Sequence, residues 1–388
     1  MRNITFIEIT ALLAVILIGF AACGGDDNGD IVVLERIDIT TVPHKMVYKS
    51  GDALALNGLT VSAVYSNGSK KPVDDYTIFP IDGSVLEEMG VHKVEVSYSE
   101  DGVTVTGSFN ALIPGMKLVQ AGNFTMGTLD NTAAPTACIL PYPQRTVILT
   151  KNFYIGIFEV TQAEYKALTG ANPSRYNLGN ESYPVEQVSW YEAVEYCNAL
   201  SLMEGLTPAY DVDKDNPDPN NTLVDTSDPK WLVTMIDGAN GYRLPTEAEW
   251  EYVCRAGTTT VFNTGNNITT DQANLNGEPY IYGDPKGLNR GQTIATGSFA
   301  PNAWGFYDMH GNVWEWCWDF INDGGDSYYA TAPDPDTDPT GLAYGNRRVV
   351  RGGAWNRGPA RAISAYRERT RPQKQVSDLG FRVMRISE

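Results

Sequence analysis

The chain has 388 residues, enough for two or three domains of about 100–200 residues each, and a hydrophobic content of 42% allows sizeable cores. Its formal net charge of −18 argues against non-specific nucleic-acid binding, which needs a basic surface. The three histidines, His44, His92 and His310, lie far apart in sequence, which argues against a histidine-rich zinc or iron site.

The first 22 residues are expected to be an export signal. Arg2 supplies positive charge, and the apolar run 11–20 is shorter than the ~20 residues that span a bilayer. The ending Phe20-Ala21-Ala22-Cys23 resembles a bacterial lipobox, in which the cysteine takes a diacylglycerol and becomes the mature N-terminus. The alternative is an ordinary cleaved signal in which Cys23 has no role.

Residues 23–31 predict a flexible acidic tether. They are similar to the signals that send Bacteroidetes lipoproteins to the cell surface. We therefore expect an outer-membrane protein held through a lipid on Cys23 and exposed to the outside.

Residues 32–113 predict an all-β domain. The β-rich segments 92–98 and 103–109 are separated by Asp101-Gly102, which is typical of a hairpin turn. Several such segments indicate a small sandwich. The stretch from Tyr48 to Ser69 resembles bacterial immunoglobulin-like (Ig-like) domains, which usually serve as spacers or adhesive units.

Residues 115–388 predict an α+β domain with many loops. Three helix starts carry a Ser/Thr-x-x-Glu capping box, and the helices are expected over residues 163–168, 190–200 and 248–255. The boxes are Thr161 with Glu164, Ser189 with Glu192, and Thr246 with Glu249. Residues 206–241 are rich in Asp, Pro and Asn, which favours an inserted hairpin or loop.

An ordered series of sequence blocks runs through this second domain. They include Tyr242-Arg243-Leu244-Pro245-Thr246-Glu247-Ala248-Glu249-Trp250-Glu251-Tyr252, Gly305-Phe306-Tyr307-Asp308-Met309-His310-Gly311-Asn312-Val313-Trp314-Glu315-Trp316, Arg351-Gly352-Gly353-Ala354-Trp355 and Leu379-Gly380-Phe381-Arg382. In this order they resemble the sulfatase-modifying-factor family, whose founding activity is formylglycine generation. The resemblance implies an α+β fold with little regular secondary structure, remotely like C-type lectins.

The resemblance also implies where a catalytic copper ion would bind. Formylglycine generators hold copper with two cysteines that follow the Gly-Gly-Ser block, and those positions here are Arg357 and Ala362. Neither residue ligates Cu(I), which prefers soft thiolates. We therefore expect no copper and no formylglycine generation by the known mechanism.

Four cysteines remain after Cys23: Cys138, Cys197, Cys254 and Cys317. Sequence alone cannot pair them. Cys197 and Cys254 match cysteines that are paired in animal members of the family, but their partner positions here hold other residues. They are therefore either buried thiols or differently paired.

Calcium is the cofactor that the resemblance still implies. One family site maps onto Asp308, Gly311, Val313 and Glu315, and a second begins at Asn274 and Leu275. Carboxylates and carbonyls suit a cation that takes 6–8 oxygens. Asp211, Asp213 and Asp215 alternate like a calcium loop, but the expected Gly and closing Glu are missing, so a solvated acidic hairpin is favoured.

Arginines crowd the segment 351–371, and two alternatives remain open for them. Arg357 and Arg361 could bind an anionic glycan or an envelope protein, or the arginines could pair with acidic residues and stabilise the fold. The favoured function is a surface-anchored, non-catalytic binding or scaffold module. The alternative is an oxidase of the same superfamily that acts on a cysteine or thiol by altered chemistry.

Overall fold

The structure is a computed structural model that describes residues 32–128, 144–221, 230–281, 284–323 and 328–387. The signal peptide, Cys23, the acidic tether up to residue 31, and Cys138 lie outside these ranges. The chain divides into two compact units between Pro114 and Gly115. Within the described ranges, no helix has the length and apolar character needed to cross a membrane.

The first unit is all-β. Its strands are β1 (Leu34–Thr41), β2 (Asp52–Ala53), β3 (Thr60–Tyr65), β4 (Lys70–Val73), β5 (Thr77–Phe79), β6 (Val85–Leu86), β7 (Gly90–Glu100) and β8 (Val103–Ile113). Two antiparallel sheets, β1-β3-β4 and β5-β7-β8, are accompanied by the pair β2-β6. Val94, Val96 and Tyr98 alternate as buried residues on β7. The turn at Asp101-Gly102 has positive φ at both residues, as the hairpin prediction required.

The second unit contains short strands and three helices. The strands are β9 (Met116–Val119), β10 (Gly122–Met126), β11 (Arg145–Leu149), β12 (Phe153–Gly156), β13 (Tyr210–Pro217), β14 (Trp231–Met235), β15 (Trp314–Ile321), β16 (Asp336–Thr337), β17 (Arg347–Arg351), β18 (Glu368–Thr370), β19 (Leu379–Gly380) and β20 (Met384–Ile386). The helices are α1 (Gln162–Thr169), α2 (Trp190–Glu204) and α3 (Glu247–Arg255). The largest sheet has the order β18-β17-β15-β19, and β13 and β14 pair antiparallel within the segment for which a hairpin or loop was expected.

All three capping boxes form as predicted. At each start the hydroxyl accepts from the backbone N–H three residues on, and the Glu side chain accepts from the cap's own N–H. The predicted bounds were close, although α2 continues four residues beyond Leu200. Each helix ends at a residue in the left-handed conformation: Gly170, Gly205 and Ala256.

Three fully buried tryptophans anchor the core of the second unit, and each indole N–H has an acceptor. Trp190 donates to the Cys317 carbonyl, Trp316 to the Val188 carbonyl, and Trp250 to the Glu315 carboxylate. Large apolar side chains with a satisfied polar group can organise a domain that has few long elements. Through its indole hydrogen bond Trp250 contacts the second residue of β15, Glu315, which is one of the candidate calcium residues.

Candidate calcium centre and the altered copper position

The loop that leads into β15 holds most of the predicted calcium residues. Asp308, Gly311 and Asn312 all have positive φ, and a Cβ on Gly311 would lie 2.4 Å from the carbonyl oxygen of Asn274. The Asn312 backbone N–H donates to that same carbonyl at 3.0 Å. Only glycine fits at position 311. The fold therefore brings together the two segments that the sequence singled out separately.

Asn274 presents a buried acceptor without a donor. Its side-chain amide donates to the Gln292 carbonyl and to Asn312 Oδ1, but its own Oδ1 has no hydrogen-bond partner among the described residues. The side chain is 1% exposed. A buried oxygen left in this way is where an ion or an ordered water is expected. Leu275 has a fully buried side chain, so only its main-chain carbonyl is suited to bind a cation.

Three carboxylates gather around Arg382 at the same place. Glu315 accepts two hydrogen bonds from the Arg382 guanidinium, at 2.8 and 3.0 Å. Asp308 accepts from the Gly297 backbone N–H at 2.7 Å. Glu159 accepts from the Asn312 side chain at 2.9 Å and from the Val313 N–H at 3.3 Å.

This cluster carries excess negative charge. With all three carboxylates ionised, they and the one guanidinium would sum to −2, and Glu159, Glu315 and Arg382 are each at most 1% exposed. Burial raises the pKa of Glu159 well above its usual range, and the charges of Asp308 and Glu315 raise it further. Burial also raises the pKa of Asp308 to about 6. One divalent cation would neutralise the cluster, so these residues fit calcium.

The fit depends on main-chain oxygens as well as carboxylates. In the described part of the chain, no three His, Cys, Asp or Glu side chains converge in an arrangement that could hold a metal. Asp308 and Glu315 would therefore bind the ion together with the Gly311 and Val313 carbonyls, as the family pattern implies. Glu159 would support the loop through the hydrogen bonds that it accepts from the Asn312 side chain and the Val313 N–H.

Sequence reasoning missed Glu159. In the sequence, the one indication was that Glu159 stands between two apolar residues, Phe158 and Val160, just ahead of the capping box that begins at Thr161. A buried acid in such an apolar context requires a partner.

The alternating Asp residues of the hairpin lie along one strand and form local hydrogen bonds. Asp211, Asp213 and Asp215 all lie in β13. Asp213 accepts from the N–H groups of Asp215 and Asn216 and from the Asn216 side chain. These local bonds support the solvated acidic hairpin.

The positions that would hold copper contain residues with other contacts. Arg357 lies 3.3 Å from Asp378, and its side chain is 41% exposed. Ala362 is fully buried, and its carbonyl accepts from His310 Nδ1 at 2.6 Å. His310 Nε2 accepts from the Asn263 N–H at 3.0 Å, so both ring nitrogens are engaged. Neither position fits a copper ligand.

Three of the cysteines are buried free thiols. Cys197, Cys254 and Cys317 form no disulfide and are 0% exposed. Burial raises the pKa of Cys254 to about 12 and raises those of Cys197 and Cys317 as well. Because the thiolate is the reactive form, burial disfavours reaction at these cysteines. Burial lowers the pKa of His310, 3.9 Å from Cys254, to about 4, so it is neutral near pH 7.

The crowded arginines mostly pair with acidic side chains or with backbone. Arg351 contacts Glu247 and Glu251, Arg367 contacts Glu247, Arg361 contacts Glu368, and Arg369 donates to the Asp323 carbonyl. Arg351 and Arg367 are buried, whereas Arg357 and Arg361 remain partly exposed. Most of the segment therefore supports the fold, and an anion-binding role is possible only at its exposed members.

The chain belongs to the family described as the sulfatase-modifying factor enzyme 1-like domain, whose model matches residues 104–386. A bacterial Ig-like domain (group 3) matches residues 41–113, immediately before it. The architecture is thus an Ig-like domain followed by a formylglycine-generating-enzyme-like fold, as the sequence predicted.

Two relatives and one solved structure are similar to this chain. Chaperone protein LppX of Paenibacillus barcinonensis is 37% identical over 254 residues, covering 63% of this chain and 83% of that protein. Formylglycine-generating enzyme of Thermomonospora curvata is 33% identical over 263 residues, covering 62% and 82%. Treponema denticola variable protein 1 is similar with a TM-score of 0.56 and 30% identity, covering 76% of this chain and 99% of that one.

Proposed function

We propose that this protein is an exported, lipid-anchored binding protein whose second unit is a non-catalytic member of its family. One observation carries the proposal. Arg357 and Ala362 stand where a formylglycine generator has its copper cysteines, and both have other partners. Cys197, Cys254 and Cys317, the thiols among the described residues of the unit, are fully buried and their pKa values are raised by burial, which argues against the alternative of an altered oxidase.

The similarity to Chaperone protein LppX supports a partner that is itself a protein. In this proposal the second unit binds an exported or envelope protein, and the Ig-like unit acts as a spacer. Calcium holds the loop around Asp308 and Gly311 and is structural.

The experiment that tests the non-catalytic role is a formylglycine assay. The purified protein is incubated with copper, oxygen and a sulfatase-type cysteine peptide. No aldehyde is expected, and copper-dependent aldehyde formation would contradict the proposal.

The lipid anchor is tested separately with Cys23→Ser. Several acyl chains hold a protein on a bilayer stably, at about 0.8 kcal/mol per buried methylene. We expect the unchanged chain to fractionate with membranes and to incorporate labelled palmitate, and the variant to do neither. Unchanged membrane attachment of the variant would refute anchoring through Cys23.

A further inference from the structure

Three segments of the second unit meet at one surface beside the altered copper position. The Tyr176 hydroxyl lies 3.3 Å from the Gly291 carbonyl. The Tyr176 ring meets the ring of Trp355 edge to face, with centroids 5.4 Å apart. The Asn276 N–H donates to the Arg357 carbonyl at 3.0 Å. The loops that start at residues 174, 287 and 355 therefore form one continuous surface.

Arg175, Arg290 and Arg357 lie on this surface, although the whole chain carries −18, and the nearby Asp378 and Glu278 are paired with Arg357 and Lys286. Arg175 is exposed, and Arg290 is half-buried. In the described ranges, neither forms an ion pair with a carboxylate. Arg290 instead donates to the Thr270 carbonyl and lies over the ring of Phe299. Arg357 is 41% exposed, and a single 3.3 Å contact joins it to Asp378. An exposed guanidinium fork suits a carboxylate.

Aliphatic side chains stand among these arginines. Leu178 is 65% exposed and Leu288 is 61% exposed, which makes them two of the most exposed large apolar residues described. The rings of Tyr176 and Trp355 are half-buried and pack against each other, and the half-buried ring of Phe299 is covered by Arg290. The apolar part of the surface is therefore aliphatic. It suits leucine-like side chains better than sugar rings, which stack on open aromatic faces.

The loop that carries Arg175 is fixed by hydrogen bonds to a buried residue, Glu186. The Tyr176 N–H donates to Glu186 at 2.7 Å, and Glu186 is fully buried. The Ser174 hydroxyl bonds to the backbone of the same residue. A loop fixed by buried contacts loses little conformational freedom when a ligand binds.

We propose that this surface binds an extended acidic peptide segment of a partner protein, with carboxylates on Arg175 and Arg357 and apolar side chains on Leu178 and Leu288. This inference rests on the proposed non-catalytic function and names the class of partner. The sequence predicted Arg357 and Arg361 as the anion site. We replace Arg361 by Arg175, because the Arg361 guanidinium is paired with Glu368 at 2.9 Å.

The test uses the full chain and a fluorescein-labelled peptide of repeated Leu-Glu-Ser units. A second peptide replaces each Glu by Gln, and a sulfated glycosaminoglycan serves as a competitor. Fluorescence anisotropy should show that the acidic peptide binds at least about tenfold more tightly than the Gln peptide, with an affinity that falls as salt rises. Arg175→Glu and Arg357→Glu should each weaken binding by at least about fivefold.

Lys93→Glu makes the same charge change in the Ig-like unit, where Lys93 is 61% exposed, and should leave binding unchanged. Equal binding of both peptides, or insensitivity to both arginine variants, would overturn the inference. Tighter binding of the glycosaminoglycan with the same arginine dependence would also overturn it, because the partner would then be a glycan. None of these outcomes affects the non-catalytic role, which the aldehyde assay tests independently.

Discussion

Arg382→Met is expected to be among the most destabilising single changes in the second unit. It would leave the Glu315 side chain, which is 0% exposed, without its guanidinium partner and would remove the donors that Arg382 gives to the Gly156 and Tyr307 carbonyls. Removing one member of a buried ion pair costs about 3–5 kcal/mol. The free energy of unfolding, measured by urea denaturation, should fall by this amount.

Lys286→Met is the matched control. It also removes a cation from an ion pair in this unit, but Lys286 is 73% exposed, and such surface changes stay within about 0.5 kcal/mol. Adding Glu315→Gln to Arg382→Met should recover part of the loss, because the uncompensated charge is then gone. If Arg382→Met lowers the free energy of unfolding by less than about 1 kcal/mol, the buried pair of Arg382 and Glu315 does not stabilise the second unit as we expect.

Removal of calcium is expected to destabilise the second unit. Burial raises the pKa of Glu159 and of Asp308, and a bound cation would offset the charge of their ionised forms. A ligand present at 100 times its dissociation constant stabilises the folded state by about 2.7 kcal/mol. The melting temperature should therefore be higher in calcium than in EGTA.

Asp308→Ala should abolish this difference between calcium and EGTA. Asp213→Ala, in the hairpin, should retain it, because Asp213 is engaged by local hydrogen bonds. Identical melting of the unchanged protein in calcium and in EGTA would refute the calcium site.

Local patterns in the sequence predicted the elements that depend on local chemistry. The capping boxes at Thr161, Ser189 and Thr246 predicted the three helix starts, because a capping box needs only four consecutive residues. Asp101-Gly102 predicted its hairpin because the turn type depends on two adjacent residues. The residues that could not be predicted act across long sequence separations. Glu159 lies more than 150 positions before Asn312, and nothing around Glu159 indicates that contact.

The arginines illustrate the same limit. Arg357 and Arg361 look equivalent in sequence, since both lie in one short basic segment. The fold places Glu368 2.9 Å from Arg361, whereas Arg357 has a single 3.3 Å contact with Asp378 and lies two residues from Trp355, whose ring meets that of Tyr176. Which arginine is available to a ligand is therefore a property of the tertiary structure.

We propose that this unit has the family fold and lacks the family's copper chemistry. The most direct measurement is mass spectrometry of a sulfatase-type cysteine peptide after incubation with the full protein, copper and oxygen. The formylglycine-generating enzyme of Thermomonospora curvata serves as the positive control. We predict that the positive control converts the peptide and that this protein leaves the cysteine unchanged. Copper-dependent conversion of the cysteine to an aldehyde by this protein would contradict the claim.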